Sequence, residues 1–243
     1  MFFYIKFMKL SDIKSRTIDF NKLNDGTYTS DHYLSLTKVI LLKENFMELL
    51  LVSNNKKKLK ELKEILSDKF DVFSLDEKGI ISEPEETGLT FAENSLIKAR
   101  AAMEKSGLIA IADDSGLEVD ALNGAPGIYS ARYSGIDADD EKNNLLLLEN
   151  LEGNENRHAK FVCAITLVYP NNQIITAEGE CEGEILKAIR GNNGFGYDPL
   201  FLVPAYGKTF AEIDSEIKNK ISHRAKALLN FIEKLNKYER SRF

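Results

Sequence analysis

The feature that most constrains the fold is the alternation of short apolar runs with longer segments of helical periodicity. The runs at 48–52 (ELLLV) and 108–112 (LIAIA) are bounded by polar residues and predict buried strands. Between them, 56–66 has apolar residues at helical spacing opposite lysines, and 90–105 predicts a second helix that ends before Gly107. This interleaving predicts an α/β chain.

The second half of the chain adds hairpins to these crossovers. Segments 160–169 and 173–180 flank a Pro-Asn-Asn turn and predict a hairpin, and 199–203 predicts another short strand. One last helix is predicted to start near Ser215, with apolar residues every three or four positions from Ile217 to Leu235. Hairpins together with crossovers favour a mixed sheet with helices packed on it.

Composition limits the classes of partner. The 243 residues include 32 Lys and Arg against 38 Asp and Glu, a net charge of −6, so a nucleic-acid-binding surface is not expected. The chain has two cysteines and no CxxC, which suits a reducing compartment. No apolar run approaches the roughly 20 residues that span a bilayer. We therefore expect a cytoplasmic protein without nucleic-acid or membrane partners.

Residues 1–46 read differently from the rest of the chain. They contain scattered aromatic residues and a polar middle, without any recognisable motif. The alternatives are a loosely packed extension, a start site upstream of a real beginning at Met47, and a docking segment for a partner. The 197 residues from 47 to 243 are sufficient for one domain.

The first candidate binding element is the turn from Ser53 to Lys58, which joins the first strand to the first helix. Such a turn presents unpaired backbone N–H groups and the positive end of a helix dipole, both of which favour a phosphate. Asn55 adds an amide donor and Lys58 a positive charge. Ser and Asn are also ordinary helix caps, so the spacing alone leaves both interpretations open.

Carboxylates form the second candidate. Asp113 and Asp114 follow the strand at 108–112, and we expect the chain to turn there through Ser115 and Gly116. Adjacent carboxylates repel unless a cation or hydrogen-bond donors hold them, and oxygen ligands suit Mg²⁺. An acidic turn is the structural alternative. Glu93 could be a metal ligand, but Thr90-x-x-Glu93 is also a capping box.

Two further segments could contact a ligand. The run 191–199 has three glycines within six residues, so its backbone could approach a ligand closely, and Phe195 and Tyr197 could stack on a base. On the single last helix, Arg224 would lie at the edge of the apolar stripe and His223 would point away from it. A guanidinium at a buried edge needs an anionic or carbonyl partner.

In this order, the segments resemble the inosine triphosphate pyrophosphatase family of non-standard purine (dITP/XTP) pyrophosphatases. The resemblance covers roughly 47 to 237, and residues 1–46 have no counterpart in it. The matching stretches are SNNKKKLKE (53–61), GLTFAENSLIKARAA (88–102), IADDSGLEVDALNGAPGIYSARYSG (111–135), GFGYDPLF (194–201) and KNKISHRAKAL (218–228).

The resemblance implies a role for each candidate residue. It implies a mixed α/β fold with a long twisted sheet, two lobes and a central cleft, as well as a homodimer that uses Mg²⁺. It implies Glu93 and Asp114 as metal ligands, with Asp114 also the proton acceptor. Lys57 stands where Gly is common in the family, so this chain departs from the family pattern at a backbone position that approaches phosphate. The implied substrate contacts are Ser53, Asn55, Lys58, Ser115, Phe195, Gly196, Tyr197, Asp198, Lys218, His223 and Arg224.

The expected reaction is hydrolysis of ITP, dITP or XTP to the nucleoside monophosphate and pyrophosphate. Two alternatives stay open from the residues alone. A Maf-like nucleotide pyrophosphatase shares the architecture, but its opening motif is rich in Ser and Arg and it lacks the Ser-His-Arg sequence. A nucleotide-binding regulator without turnover is disfavoured by the acids at Asp113, Asp114 and Glu93.

Overall fold

The computed structural model describes residues 47–53, 59, 62–63, 66–67, 69–136 and 139–241. The predictions for residues 1–46, for Asn55 and Lys58, and for most of the helix at 56–66 lie outside these residues. The division of the chain at Met47 into an extension and a domain stays a prediction.

One seven-stranded sheet carries four α-helices whose bounds the structure describes, and the described residues 59, 62–63 and 66 are helical as well. The strands are β1 (Met47–Val52), β2 (Phe70–Ser74), β3 (Ile109–Val119), β4 (His158–Val168), β5 (Ile174–Ile185), β6 (Phe201–Val203) and β7 (Lys208–Thr209). The helices are α1 (Phe91–Ser106), α2 (Asp140–Asn150), α3 (Ser215–Ile221) and α4 (His223–Arg240).

The sheet is mixed, as predicted. Its strand order is β2-β1-β3-β4-β5-β6-β7. β1 pairs in parallel with both β2 and β3, whereas every later pair is antiparallel. The predicted hairpin is formed by β4 and β5, with Cys163 opposite Gly179. Strands β2 and β7 were not predicted, because one is short and partly polar and the other has two residues.

The prediction of a turn at Asp113–Gly116 is wrong. β3 runs without interruption through these residues, which pair with β4 from Ile165 to Val162. Pairing with a long antiparallel neighbour holds these polar residues extended, although their own preference is for turns. Both acids therefore lie inside a strand, and consecutive side chains of a strand point to opposite faces of the sheet.

The prediction of one continuous last helix is also wrong. α3 ends at Ile221, and Ser222 has extended backbone angles (φ −66°, ψ 157°). The Ser222 hydroxyl accepts a hydrogen bond from the backbone N–H of Ala225, so this serine is the N-cap of a new helix. The apolar spacing continues across the break, which hides the change of helix axis from the periodicity.

The core consists of separate clusters on the two faces of the sheet. On one face, Ala227, Leu228, Phe231 and Leu235 of α4 pack on residues that include Ile111. Further along the same face, Leu117 and Val119 join Leu147 of α2 in a second cluster. On the opposite face, Ala99, Ala102 and Met103 of α1 pack on Ala110 and Ala112. Between Ile111 and Leu117, β3 presents Asp113 and Ser115 in a polar gap between two apolar cores.

Candidate active site

The site is organised around the part of β3 that extends beyond β1. The parallel pairing of these two strands ends where Val52 lies opposite Ala112. Ser53 follows directly, and this register brings it beside Asp113. The turn predicted to bind phosphate therefore begins next to the two acids, as the parallel arrangement requires.

Asp114 faces α1, where it meets the half-buried Lys98. The Lys98 ammonium donates a 2.7 Å hydrogen bond to Asp114 Oδ1 and lies 3.5 Å from Glu86 Oε1. Burial alone would lower the pKa of Lys98, but the charges of Asp114 and Glu86 outweigh it and raise that pKa above its usual value. Two carboxylates thus converge on one cationic position.

Glu93 performs the structural role that its spacing predicted. Its carboxylate accepts hydrogen bonds from the backbone N–H groups of Leu89 (2.6 Å) and Thr90 (3.2 Å), and the Thr90 hydroxyl accepts one from the N–H of Glu93. This reciprocal pair is a complete capping box for α1. At 3.6 residues per turn, Glu93 lies about 140° around the helix from Lys98, so the two side chains leave α1 in different directions. Metal ligation by Glu93 stays a prediction.

Asp113 faces α4 and is almost fully buried. Its Oδ2 lies 3.7 Å from the Nε of Arg224 and 3.5 Å from the hydroxyl of Ser115. Arg224 also donates a 3.4 Å hydrogen bond to that hydroxyl. A buried guanidinium needs a negative partner, and Asp113 supplies it. The two adjacent acids therefore pair with different basic side chains, Asp113 with Arg224 and Asp114 with Lys98.

The glycine-rich loop places the Phe195 ring near two cationic side chains, Arg224 and Lys218. The Phe195 ring centroid lies 5.9 Å from the guanidinium carbon of Arg224 and 5.2 Å from the ammonium of Lys218. Lys218 forms an ion pair with the buried Asp198 carboxylate, which also accepts a 2.9 Å hydrogen bond from the backbone N–H of Phe195. At Gly194, where φ is +83°, any Cβ would overlap this carboxylate. The loop and α3 therefore hold one another.

The Tyr197 ring is buried and does not present an exposed face. The Tyr197 hydroxyl donates a 2.8 Å hydrogen bond to the carbonyl of Ser130. Burial raises the pKa of this phenol, so it stays protonated as a donor. Phe195, by contrast, is 36% exposed and keeps a face available. Of the two aromatic residues predicted to stack, the structure leaves Phe195 in a position to do so.

The prediction that His223 points away from the core is wrong. Its ring is buried and stacks on Phe161, with centroids 4.7 Å apart and planes 15° apart. The reason is the break at Ser222, which makes His223 the first residue of α4 and turns it toward the sheet. Arg224 follows and is buried as well, so both residues enter the polar gap from the start of this helix.

Comparison with known proteins identifies the family. The Ham1 family model matches residues 49–234. A dITP/XTP pyrophosphatase of Desulforamulus reducens is 55% identical over 194 residues, which cover 79% of this chain and 96% of the relative. The dITP/XTP pyrophosphatase of Haemophilus influenzae is 56% identical over 186 residues, which cover 74% of this chain and 95% of the relative. The chain belongs to the Ham1 family.

Solved structures of Ham1 proteins share its fold. The Staphylococcus aureus Ham1 protein superimposes with a TM-score of 0.74 at 43% identity, covering 79% of this chain and 99% of that structure. A Ham1 protein from Coxiella burnetii gives a TM-score of 0.75 at 44% identity, covering 79% and 100%. These matches agree with the predicted α/β architecture.

Two residues of this Ham1-family site were not predicted from the sequence: Lys98 and Glu86. Lys98 lies on the same face of α1 as the buried residues Phe91, Ser95 and Ala102, at spacings of 4, 3 and 4. A lysine on such a face needs a negative partner, so the helical periodicity contained a signal for it. Glu86 lies in an irregular segment, where no periodicity could place it.

The donor atoms on the α1 face suit Mg²⁺. Asp114 and Glu86 offer carboxylate oxygens around the position of the Lys98 ammonium. Among the described residues, no group of three or more His, Cys, Asp or Glu could hold a metal by itself. Mg²⁺ is commonly held by one or two carboxylates and completes its shell with water and substrate phosphates. The residues present therefore fit this ion.

No helix among the described residues is long and apolar enough to cross a membrane.

Proposed function

We propose that this chain hydrolyses non-standard purine nucleoside triphosphates (ITP, dITP and XTP) to the nucleoside monophosphate and pyrophosphate. The main support is that about 55% of the aligned residues are identical in dITP/XTP pyrophosphatases, and the alignments cover nearly the whole length of those relatives. The β3 site supports it independently, because it offers acids on one face and an aromatic ring with cations on the other.

The face toward α4 supplies recognition of the base. The exposed face of Phe195 can stack on any purine, so it contributes affinity without discrimination. Arg224 has only hydrogen-bond donors, which match the 6-oxo group and N7 of hypoxanthine or xanthine. Adenine would present a 6-amino donor instead, and a donor facing a donor costs about 1–3 kcal/mol. The Arg224–Asp113 pair holds the guanidinium in place for this discrimination.

The face toward α1 supplies the chemistry. Asp114, next to the turn that begins at Ser53, accepts the proton of the attacking water. A bound Mg²⁺ would neutralise phosphate charge and lower the barrier to attack on the α phosphorus. Asp114 is the carboxylate that would hold it. The resemblance names Glu93 as the second ligand. We favour Glu86, because it lies with Asp114 around the same Lys98 ammonium, whereas Oε2 of Glu93 caps α1.

The positive side chains of the site hold the triphosphate. Lys98 can move its ammonium from Asp114 to a phosphate oxygen, because the carboxylate and the phosphate are both anionic hydrogen-bond acceptors. Lys218 stands beside Phe195 and can stabilise charge on the leaving pyrophosphate. The roles of Asn55 and Lys58 in phosphate binding belong to the same proposal. The homodimer rests on the resemblance alone, and the cytoplasmic location rests on the composition of the chain.

A nucleotide panel with a pyrophosphate readout tests the proposal. ITP, dITP, XTP, GTP, ATP and the pyrimidine triphosphates are supplied with Mg²⁺, and released pyrophosphate and monophosphate are quantified. We expect equal amounts of the two products from the first three nucleotides and much slower release from ATP. Orthophosphate as the first product, or a preference for pyrimidines, would contradict the proposal. Binding without turnover would favour the regulator instead.

A further inference from the structure

The loop that carries Phe195 is hydrogen-bonded to α2, a helix to which the proposed chemistry assigns no role. Asp140 Oδ2 accepts a 2.7 Å hydrogen bond from the backbone N–H of Gly196. Asn144, one turn further along α2, donates a 2.9 Å hydrogen bond from Nδ2 to the carbonyl of Gly196. One helical face therefore binds both polar backbone groups of the residue that follows Phe195.

The orientation of the Asn144 amide is determined by its neighbours. The same nitrogen that reaches Gly196 also donates a 2.8 Å hydrogen bond to the backbone carbonyl of Asp140. Both partners are carbonyl oxygens, which only accept, so the atom between them must be the amide nitrogen. Both of its hydrogens are used, and the side chain is buried. The amide is thus held between the two segments it connects.

These bonds control the direction of the Phe195 side chain. A residue has two soft backbone dihedrals, and they are set by the peptide planes on either side of its Cα. The plane before Phe195 is held by the hydrogen bond from its own N–H to Asp198. The plane after it is held by the bond from the Gly196 N–H to Asp140, and Asn144 holds the carbonyl of the next peptide. Asp198 and Asp140 therefore fix the direction in which the Cα–Cβ bond of Phe195 leaves the loop, and Asn144 holds the next peptide of the loop in place.

We propose that Asp140 and Asn144 are positioning residues for base recognition, acting through the loop at Phe195 and Gly196. Neither residue touches the ligand in this proposal. They hold the loop that carries the aromatic ring in place before the purine binds, so that ordering this loop costs no free energy on binding. The inference rests on the proposed function, because it assumes that the base binds at Phe195.

Product inhibition separates this role from a general loss of structure. Inosine monophosphate contains the base, whereas inorganic pyrophosphate does not. We expect Asn144→Ala to raise the inhibition constant of inosine monophosphate and the KM for ITP about five- to tenfold, as for loss of one or two hydrogen bonds. The inhibition constant of pyrophosphate should stay within about twofold of the wild-type value. Asn150→Ala is the matched control, since Asn150 lies on the same helix and donates to the Tyr133 hydroxyl.

Asp140 gives a second, independent pair of variants. Asp140→Ala removes the acceptor for the Gly196 N–H and should reproduce the effect of Asn144→Ala. Asp140→Asn keeps an acceptor oxygen at almost the same position and should restore most of the affinity for inosine monophosphate. If Asn144→Ala does not fold, judged by its thermal unfolding, this pair carries the test alone.

A double-mutant cycle with Phe195→Ala decides whether the ring is the intermediary. When the ring is absent, Asn144→Ala should change the KM for ITP by less than about twofold. Additive effects, or equal rises in the inhibition constants of inosine monophosphate and pyrophosphate, would overturn the proposal while leaving the pyrophosphatase activity established. A wild-type protein that releases no pyrophosphate from ITP would instead overturn the proposed function.

Discussion

Asp113 and Asp114 are neighbours in the chain, yet they lie on opposite faces of β3 and have different partners. Asp114 meets the ammonium of Lys98 on α1, and Asp113 meets the guanidinium of Arg224 on α4. The first contact is partly open to solvent and the second is buried. Because a strand sends successive side chains to opposite faces, adjacency in sequence divides two similar acids between two tasks. The α1 face is suited to chemistry, and the α4 face to holding the group that recognises the base.

The largest expected effect separates the two acids by activity. Asp114→Asn removes the proposed proton acceptor and a metal ligand, and kcat should fall about 10²- to 10⁴-fold. The melting temperature should change little, because the amide still accepts a hydrogen bond from Lys98. Pyrophosphate release and thermal unfolding measured on the same sample check both statements. Wild-type rates in this variant would remove Asp114 from the mechanism.

The same substitution one residue earlier should act on stability instead. Asp113→Asn leaves the buried Arg224 guanidinium without its negative partner, and we expect the free energy of unfolding to fall by about 3 kcal/mol. Denaturant titration of this variant beside Asp114→Asn gives a direct comparison of the two faces. Equal stability of the two variants would show that burial does not distinguish them.

The third prediction concerns discrimination on the α4 face. Arg224→Ala should reduce the ratio of kcat/KM for ITP over ATP by about tenfold or more, since the 6-oxo group loses its donors. Arg224→Lys is the control, because it keeps a charge beside Asp113 but loses the planar fork of donors. An unchanged ratio in Arg224→Ala would assign base choice to another residue.

The smallest expected effect distinguishes two carboxylates near α1. Glu93→Gln preserves a capping box, since glutamine can serve at that position, so stability should change by less than about 0.5 kcal/mol. We also expect the Mg²⁺ concentration for half-maximal activity to stay unchanged. Glu86→Gln should raise that concentration, because it removes one of the two carboxylates that lie around the Lys98 ammonium, the other being Asp114. The reverse result would assign the second metal position to Glu93, as the resemblance implies.

Several elements could be predicted because local patterns suffice for them. The apolar run of β1, the Thr90–Glu93 capping box and the hairpin of β4 and β5 were recognisable from spacing and turn residues. The structure confirms each of them. The candidate residues Ser53, Asp114, Phe195 and Arg224 were singled out from local patterns and received their roles from the resemblance, and the structure adds the partners of Asp114, Phe195 and Arg224.

Tertiary contacts decided the rest. Pairing with β4 keeps Asp113–Gly116 extended, which no local preference of Asp, Ser or Gly indicates. The cap at Ser222 starts a new helix within an unbroken apolar periodicity, and this turns His223 and Arg224 inward. The partnership of Asp114 with Lys98 and Glu86 joins three separate segments. Sequence by itself determined which residues prefer strand or helix and where charge is available. Only the packed structure decided which face of the sheet each charged side chain occupies, because its partners come from segments that lie far away in the chain.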